Sequence, residues 1–248
     1  MRFPRLPAAI ASAALLLTFA PLAHAQYLVS ASSLNLAATA LFSNVGGYLE
    51  VVLTNTSTHD VLVPVDVLTA VCFNVEGVAP LSTVGSSAVL SPGSSVFFDP
   101  DGQPVGGNVG GEWGYGTGLA APRGATEGIS SSGFGLFGGP TFNGPNLSDP
   151  IALDGLNYGI TSAGDNTATG NAKVTGGVPL IKNSVTFRLN GLGAVDPNSL
   201  NITNVSFQYG TALNEPNIIP QVPEPGTLTL LGTVMIGAFG IGLRRRRR

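Results

Sequence analysis

Glycine and proline occupy 34 and 18 of the 248 positions, together close to twice the roughly 7% and 5% of an average protein. That density decides what the chain can fold into. In a helix interior a glycine costs about 1 kcal/mol relative to alanine and a proline about 3 kcal/mol, so a helical bundle or coiled coil is excluded. The same residues suit tight turns between short strands. A collagen repeat is excluded because glycine keeps no three-residue period. Recurrent runs of Val, Ile, Leu and Phe and a modest net charge of −3 argue for a packed core rather than disorder.

Several segments alternate with a period of two, the pattern of half-buried strands. Leu49, Val51 and Leu53 alternate with Glu50, Val52 and Thr54; Val185, Phe187 and Leu189 with Thr186, Arg188 and Asn190; Val205, Phe207 and Tyr209 with Ser206 and Gln208. Val61 to Val75 reads as an edge strand or bulge around Pro64, then a second strand about Val71-Cys72-Phe73. Ser95 to Phe98 and Ser132 to Phe137 are further strand candidates. No window shows a sustained helical period. The expected fold is all-β, an antiparallel β-sandwich of roughly seven to ten strands over residues 26–213. A seam between two smaller β-domains near residue 100 is the alternative, because the glycine-rich stretch from Asp99 to Asn146 is the least regular part. Residues 214–221, with Pro216 and Pro220, read as an extended linker.

Charge is divided unevenly. Arg2, Arg5 and Arg244 to Arg248 lie at the ends, leaving Arg123, Lys173, Lys182 and Arg188 between residues 26 and 221. Against these four stand 13 of the 14 acids, a net charge of −9 for the body. Such a surface repels phosphate, so nucleic acid is not an expected partner.

The two ends carry the strongest signals. Residues 1–25 have the build of a secretory signal peptide: Arg2 and Arg5, an apolar run from Ala8 to Ala20, and Ala23-His24-Ala25 as the cleavage site, with Ala23 and Ala25 the small residues it needs. General secretion machinery is the implied partner. At the other end Pro223, Glu224 and Pro225 precede 18 uncharged residues, Gly226 to Leu243, and then Arg244, Arg245, Arg246, Arg247 and Arg248. A helix over 226–243 would be about 27 Å long, enough for a single transmembrane span. The arginines are costly to translocate and hold the C-terminus on the cytoplasmic side. The prolines stop the helix from continuing upstream.

This order of Pro-Glu-Pro, apolar helix and basic cluster over 222–248 resembles the PEP-CTERM sorting signal. The resemblance implies processing by an exosortase, a membrane enzyme similar to cysteine transpeptidases. It also implies a Gram-negative host and an exported surface or matrix protein linked to exopolysaccharide and biofilm growth. The chain would sit in the inner membrane during sorting, body outside, and reach the cell surface or matrix afterwards. It implies nothing about the fold of the body.

Within the body the side chains that do chemistry are sparse, and the chain reads as noncatalytic and without a cofactor. Cys72 is the one cysteine and sits between apolar neighbours, as a buried small side chain would. His59, beside Asp60, reads as a solvated turn residue, and too few His and Cys are present for a zinc site. Glu112 and Glu127 are the acids a glycosidase reading would use. Trp113 and Tyr115 offer an alternative function: a carbohydrate-binding platform, since aromatic faces stack on sugars. Asp99-Pro100-Asp101-Gly102 is a fragment of a calcium loop lacking its later ligands, a weak metal candidate through Asp99 and Asp101.

Overall fold

A computed structural model describes residues 26–98, 103–132, 147, 155–196 and 199–220. The signal-peptide expectation, the Asp99 and Asp101 candidate, most of the strand expected over Ser132 to Phe137 and the whole of 221–248 lie outside them. The described residues form 13 strands and three short 3-10 turns. In chain order the strands begin with β1 (Gln26–Ser33), β2 (Leu36–Val45), β3 (Tyr48–Asn55), β4 (Leu68–Val75) and β5 (Ser82–Leu90). Next come β6 (Ser95–Phe97), β7 (Gly114–Thr117), β8 (Glu127–Ser130) and β9 (Ile160–Thr161). The last are β10 (Leu180–Lys182), β11 (Ser184–Asn190), β12 (Ile202–Tyr209) and β13 (Asn217–Ile218). The count exceeds the expected range because β6, β9, β10 and β13 are two or three residues long.

The first sheet has the order β1-β2-β3-β11-β5 and is antiparallel throughout. The alternation read from the sequence is its pleat. Leu49, Val51 and Leu53 on β3 and Val185, Phe187 and Leu189 on β11 are all buried. On the outer face Arg188 lies opposite Glu50 in register, pairs with it at 3.3 Å and covers the Tyr48 ring at 5.5 Å. The β2–β3 turn is Gly46-Gly47, with φ of 63° and 85°. A two-residue hairpin loop whose central residues both take positive φ demands glycine or asparagine.

The second sheet runs β13-β12-β4-β9-β10-β6, with β8 on β4 and β7 on β8. Here the antiparallel expectation is corrected, because β9 and β10 pair in parallel. Residues 162–179 supply the long return that a parallel pair needs. Val61 to Val67 forms no strand. Pro64–Asp66 is a 3-10 turn, and the Asp66 carboxylate accepts the backbone N–H groups of Leu62 and Val63 at 3.1 and 3.2 Å. Pro64, with no donor of its own, opens that turn instead of a ladder.

The two sheets share one core. Phe42 of β2 meets Phe73 of β4 edge to face at 5.3 Å, and Trp113, before β7, meets Phe187 of β11 at 5.0 Å. The cluster they belong to draws residues from Val29 to Ile218, on both sides of residue 100. The linker expected over 214–221 is corrected by β13: Ile218 pairs with Phe207 and Asn217 with Gln208, so the chain stays in the sheet through Ile218. Among the described residues no helix is long and apolar enough to cross a membrane; the expected span over 226–243 is not among them.

Candidate functional site

The residues singled out for a binding platform are interior ones. Trp113 is 0% exposed and Tyr115 3%, so neither ring offers a face to a sugar, and that expectation is corrected. The cause is the neighbouring strand register. Tyr115 lies opposite Ile129 on β8 and Thr117 opposite Glu127, which turns the Tyr115 hydroxyl toward the Glu127 carboxylate. The hydroxyl donates to it at 2.6 Å, and the Val75 N–H donates to the other carboxylate oxygen at 3.5 Å.

Burial pushes the Glu127 carboxyl above the usual carboxylate range, and the bond from Tyr115 offsets part of that rise. The Tyr115 phenol is in turn raised, first by burial and then by the acid beside it. Glu127 is thus occupied inside the wall of the second sheet. Glu112 ends a tight turn, its N–H donating to the Val109 carbonyl at 3.1 Å. Among the described residues no group of three or more His, Cys, Asp or Glu is placed to hold a metal ion.

Cys72 is fully buried on β4 and its thiol is pushed up to about 12, chiefly by burial, with the Ser206 side chain lowering it slightly. A thiol held that high carries almost no thiolate at neutral pH and is chemically quiet. His59 is exposed, its backbone N–H donating to Ser57 Oγ at 3.1 Å. Beside it lies a polar tie that sequence reading missed. Asp165 accepts the Val61 N–H at 2.8 Å, and Asp60 accepts the Asn166 N–H at 3.1 Å and the Thr169 hydroxyl at 3.2 Å. These two acids fasten the long connection 162–179 to the turn before β4. The distance in sequence between partners left no local signal.

The region that adjoins the C-terminal motif is more distinctive. After β12 the chain turns through Gly210 to Glu215 and comes back as β13. Gln208 Nε2 donates to the Ala212 carbonyl at 2.9 Å and reaches the Tyr209 and Glu215 carbonyls at 3.0 and 3.2 Å. Its amide oxygen accepts from Asn217 at 3.0 Å. Glu215 closes the turn by accepting the Thr211 and Ala212 N–H groups. The backbone N–H of Tyr209 then donates to the Pro216 carbonyl at 2.9 Å. A fully extended chain from Ile218 to Pro223 spans at most about 18 Å, so the folded body ends close to the Pro-Glu-Pro step.

A family model described as the PEP-CTERM protein-sorting motif matches residues 221–247. The match bears out the resemblance read from Pro223, Glu224, Pro225, the apolar run and the arginines. It supports an exported surface protein processed by an exosortase-type membrane enzyme. No curated protein and no solved structure matches the chain.

Proposed function

We propose that this chain is a noncatalytic exported protein whose two-sheet body, a β-sandwich, is displayed at the cell surface or released into an extracellular matrix linked to exopolysaccharide. The observation that carries the reading is the sorting motif at 221–247 placed directly after a body that closes at Ile218. Residues 1–25 direct export through general secretion and are removed after Ala25. The apolar run 226–243 then holds the chain in the inner membrane, with Arg244 to Arg248 in the cytoplasm. The Pro-Glu-Pro step holds the segment extended at the membrane face, where a membrane-embedded enzyme can reach it.

The position of the acids supports a noncatalytic body. Glu127 is buried under Tyr115, whereas a glycosidase acid must face its substrate. Asp60 and Asp165 are spent on loop contacts.

The test is intact-mass spectrometry of the protein recovered from outside the cell, alongside a Glu224→Ala variant. The expected mass lacks residues 1–25 and the arginine cluster, and the variant accumulates in the membrane with its tail intact. Recovered protein that still carries Arg244 to Arg248, or a variant processed like the wild type, overturns the sorting reading.

A further inference from the structure

We propose that the free edge of β1 is a self-association surface, pairing antiparallel with the same strand of a second copy. β1 ends the first sheet, and among the described residues no strand pairs with its outer side. An open edge is a template for another chain, and proteins normally guard it with charge, proline, a bulge or brevity. The other terminal strands are guarded. β5 carries a register shift against β11, and its Val89 is bridged by Asn108; β6, β7 and β13 have four residues or fewer. β1 has eight residues, Gln-Tyr-Leu-Val-Ser-Ala-Ser-Ser, with no charge, glycine or proline and an unbroken register on β2.

Hairpin geometry fixes which backbone groups are free. Ser33 and Leu36 flank a two-residue loop, so they exchange both bonds, and so do Ala31 with Ala38 and Val29 with Ala40. The intervening residues Gln26, Leu28, Ser30 and Ser32 therefore aim N–H and C=O outward. Their side chains are exposed, Leu28 by 63%.

The occupant follows from charge. The body carries −9, yet no Asp, Glu, Lys or Arg occurs from Gln26 through Leu49, the whole of β1, β2 and their turn. A second copy brings the same hairpin, charged only at the Gln26 α-amino group once residues 1–25 are removed, and meets it without bringing acid against acid. Antiparallel pairing of identical strands is two-fold, so the contact closes on itself and yields a dimer. The inference does not depend on how the tail is processed.

The test is sedimentation velocity of the exported protein over a concentration series, with Ser30→Pro and Leu28→Lys variants. Ser30→Pro removes an outward N–H and no ladder bond to β2, the position where an edge strand tolerates proline. Leu28→Lys puts charge on an exposed site and keeps the test decisive should the proline variant fail to fold. The expected result is a wild-type mass twice that of a variant whose melting temperature equals that of the wild type diluted to monomer. Because the strand's only charge is the α-amino group at its Gln26 end, added salt leaves the dimer intact or tightens it by screening the acidic bodies. A wild type that stays monomeric, a dimer that survives Leu28→Lys, or open-ended growth each overturns the proposal.

Discussion

At the scale of single residues, burial overrode appearance. Cys72 was legible because Val71 and Phe73 flank it in a continuous apolar run, and the structure buries all three, Cys72 on the face it shares with Ala70, Ala121 and Ala125. Trp113 was not, because its own neighbours are Glu112 and Gly114 and the partner that buries it, Phe187, lies far along the chain. No local pattern reports such a contact. Its energetic weight is that of a core residue. Replacing a large buried aromatic by alanine costs about 3–5 kcal/mol through lost contacts and a cavity. Trp113→Ala is therefore expected to lower the urea midpoint of unfolding by that amount of stability, with the slope unchanged. A variant as stable as the wild type would mean that the indole is not packed between the sheets.

Among the elements, those with Val, Leu and Phe on the inward positions could be read directly, as β3, β11 and β12 show. β1 and β2 were missed because their inward positions include Ala31, Ala38 and Ala40, whose small side chains give weak hydrophobic alternation. Val61 to Val67 misled for the opposite reason: apolar content suggested a strand, but Pro64 and the Asp66 carboxylate make a turn. The two hairpins of the first sheet also differ in how well residue suits backbone. Gly47 holds a φ of 85°, and a Cβ there would stand 3.3 Å from the Gly193 carbonyl oxygen. Leu34, in the β1–β2 turn, holds a φ of 52° with a side chain wholly in solvent. A left-handed conformation costs a non-glycine residue about 1–2 kcal/mol, less what glycine loses through its freer unfolded chain. Leu34→Gly should thus raise stability by roughly 0.5–1 kcal/mol and Gly47→Ala should lower it by about 1 kcal/mol or more. Thermal melts of the two variants check both signs, and equal shifts in one direction would contradict the turn geometry.

For the whole molecule, the tail was legible because its signal is an order of compositions, whereas pairing across the body depends on contacts between distant segments. Charge joins both scales. Four basic side chains cannot neutralise the 13 acids of the body, so like-charge repulsion grows as the carboxyls ionise. Glu127 acts in the same direction by a different route. Burial holds its folded-state pKa above that of the unfolded chain, so the folded state keeps this proton to higher pH and stability falls as pH rises through that interval. Asp165, also raised by burial first, adds to the fall. The melting temperature is therefore expected to drop between weakly acidic and neutral pH. Salt separates the contributions, since it screens exposed carboxyls over about 10 Å or less at 0.1 M and leaves buried ones nearly untouched. At high salt the remaining slope belongs to the buried acids, and Glu127→Gln should flatten it because the amide keeps an acceptor for Tyr115 and has no proton to lose. A melting temperature that climbs with pH, or a high-salt slope unchanged in Glu127→Gln, would show that Glu127 ionises in the folded body as readily as in water.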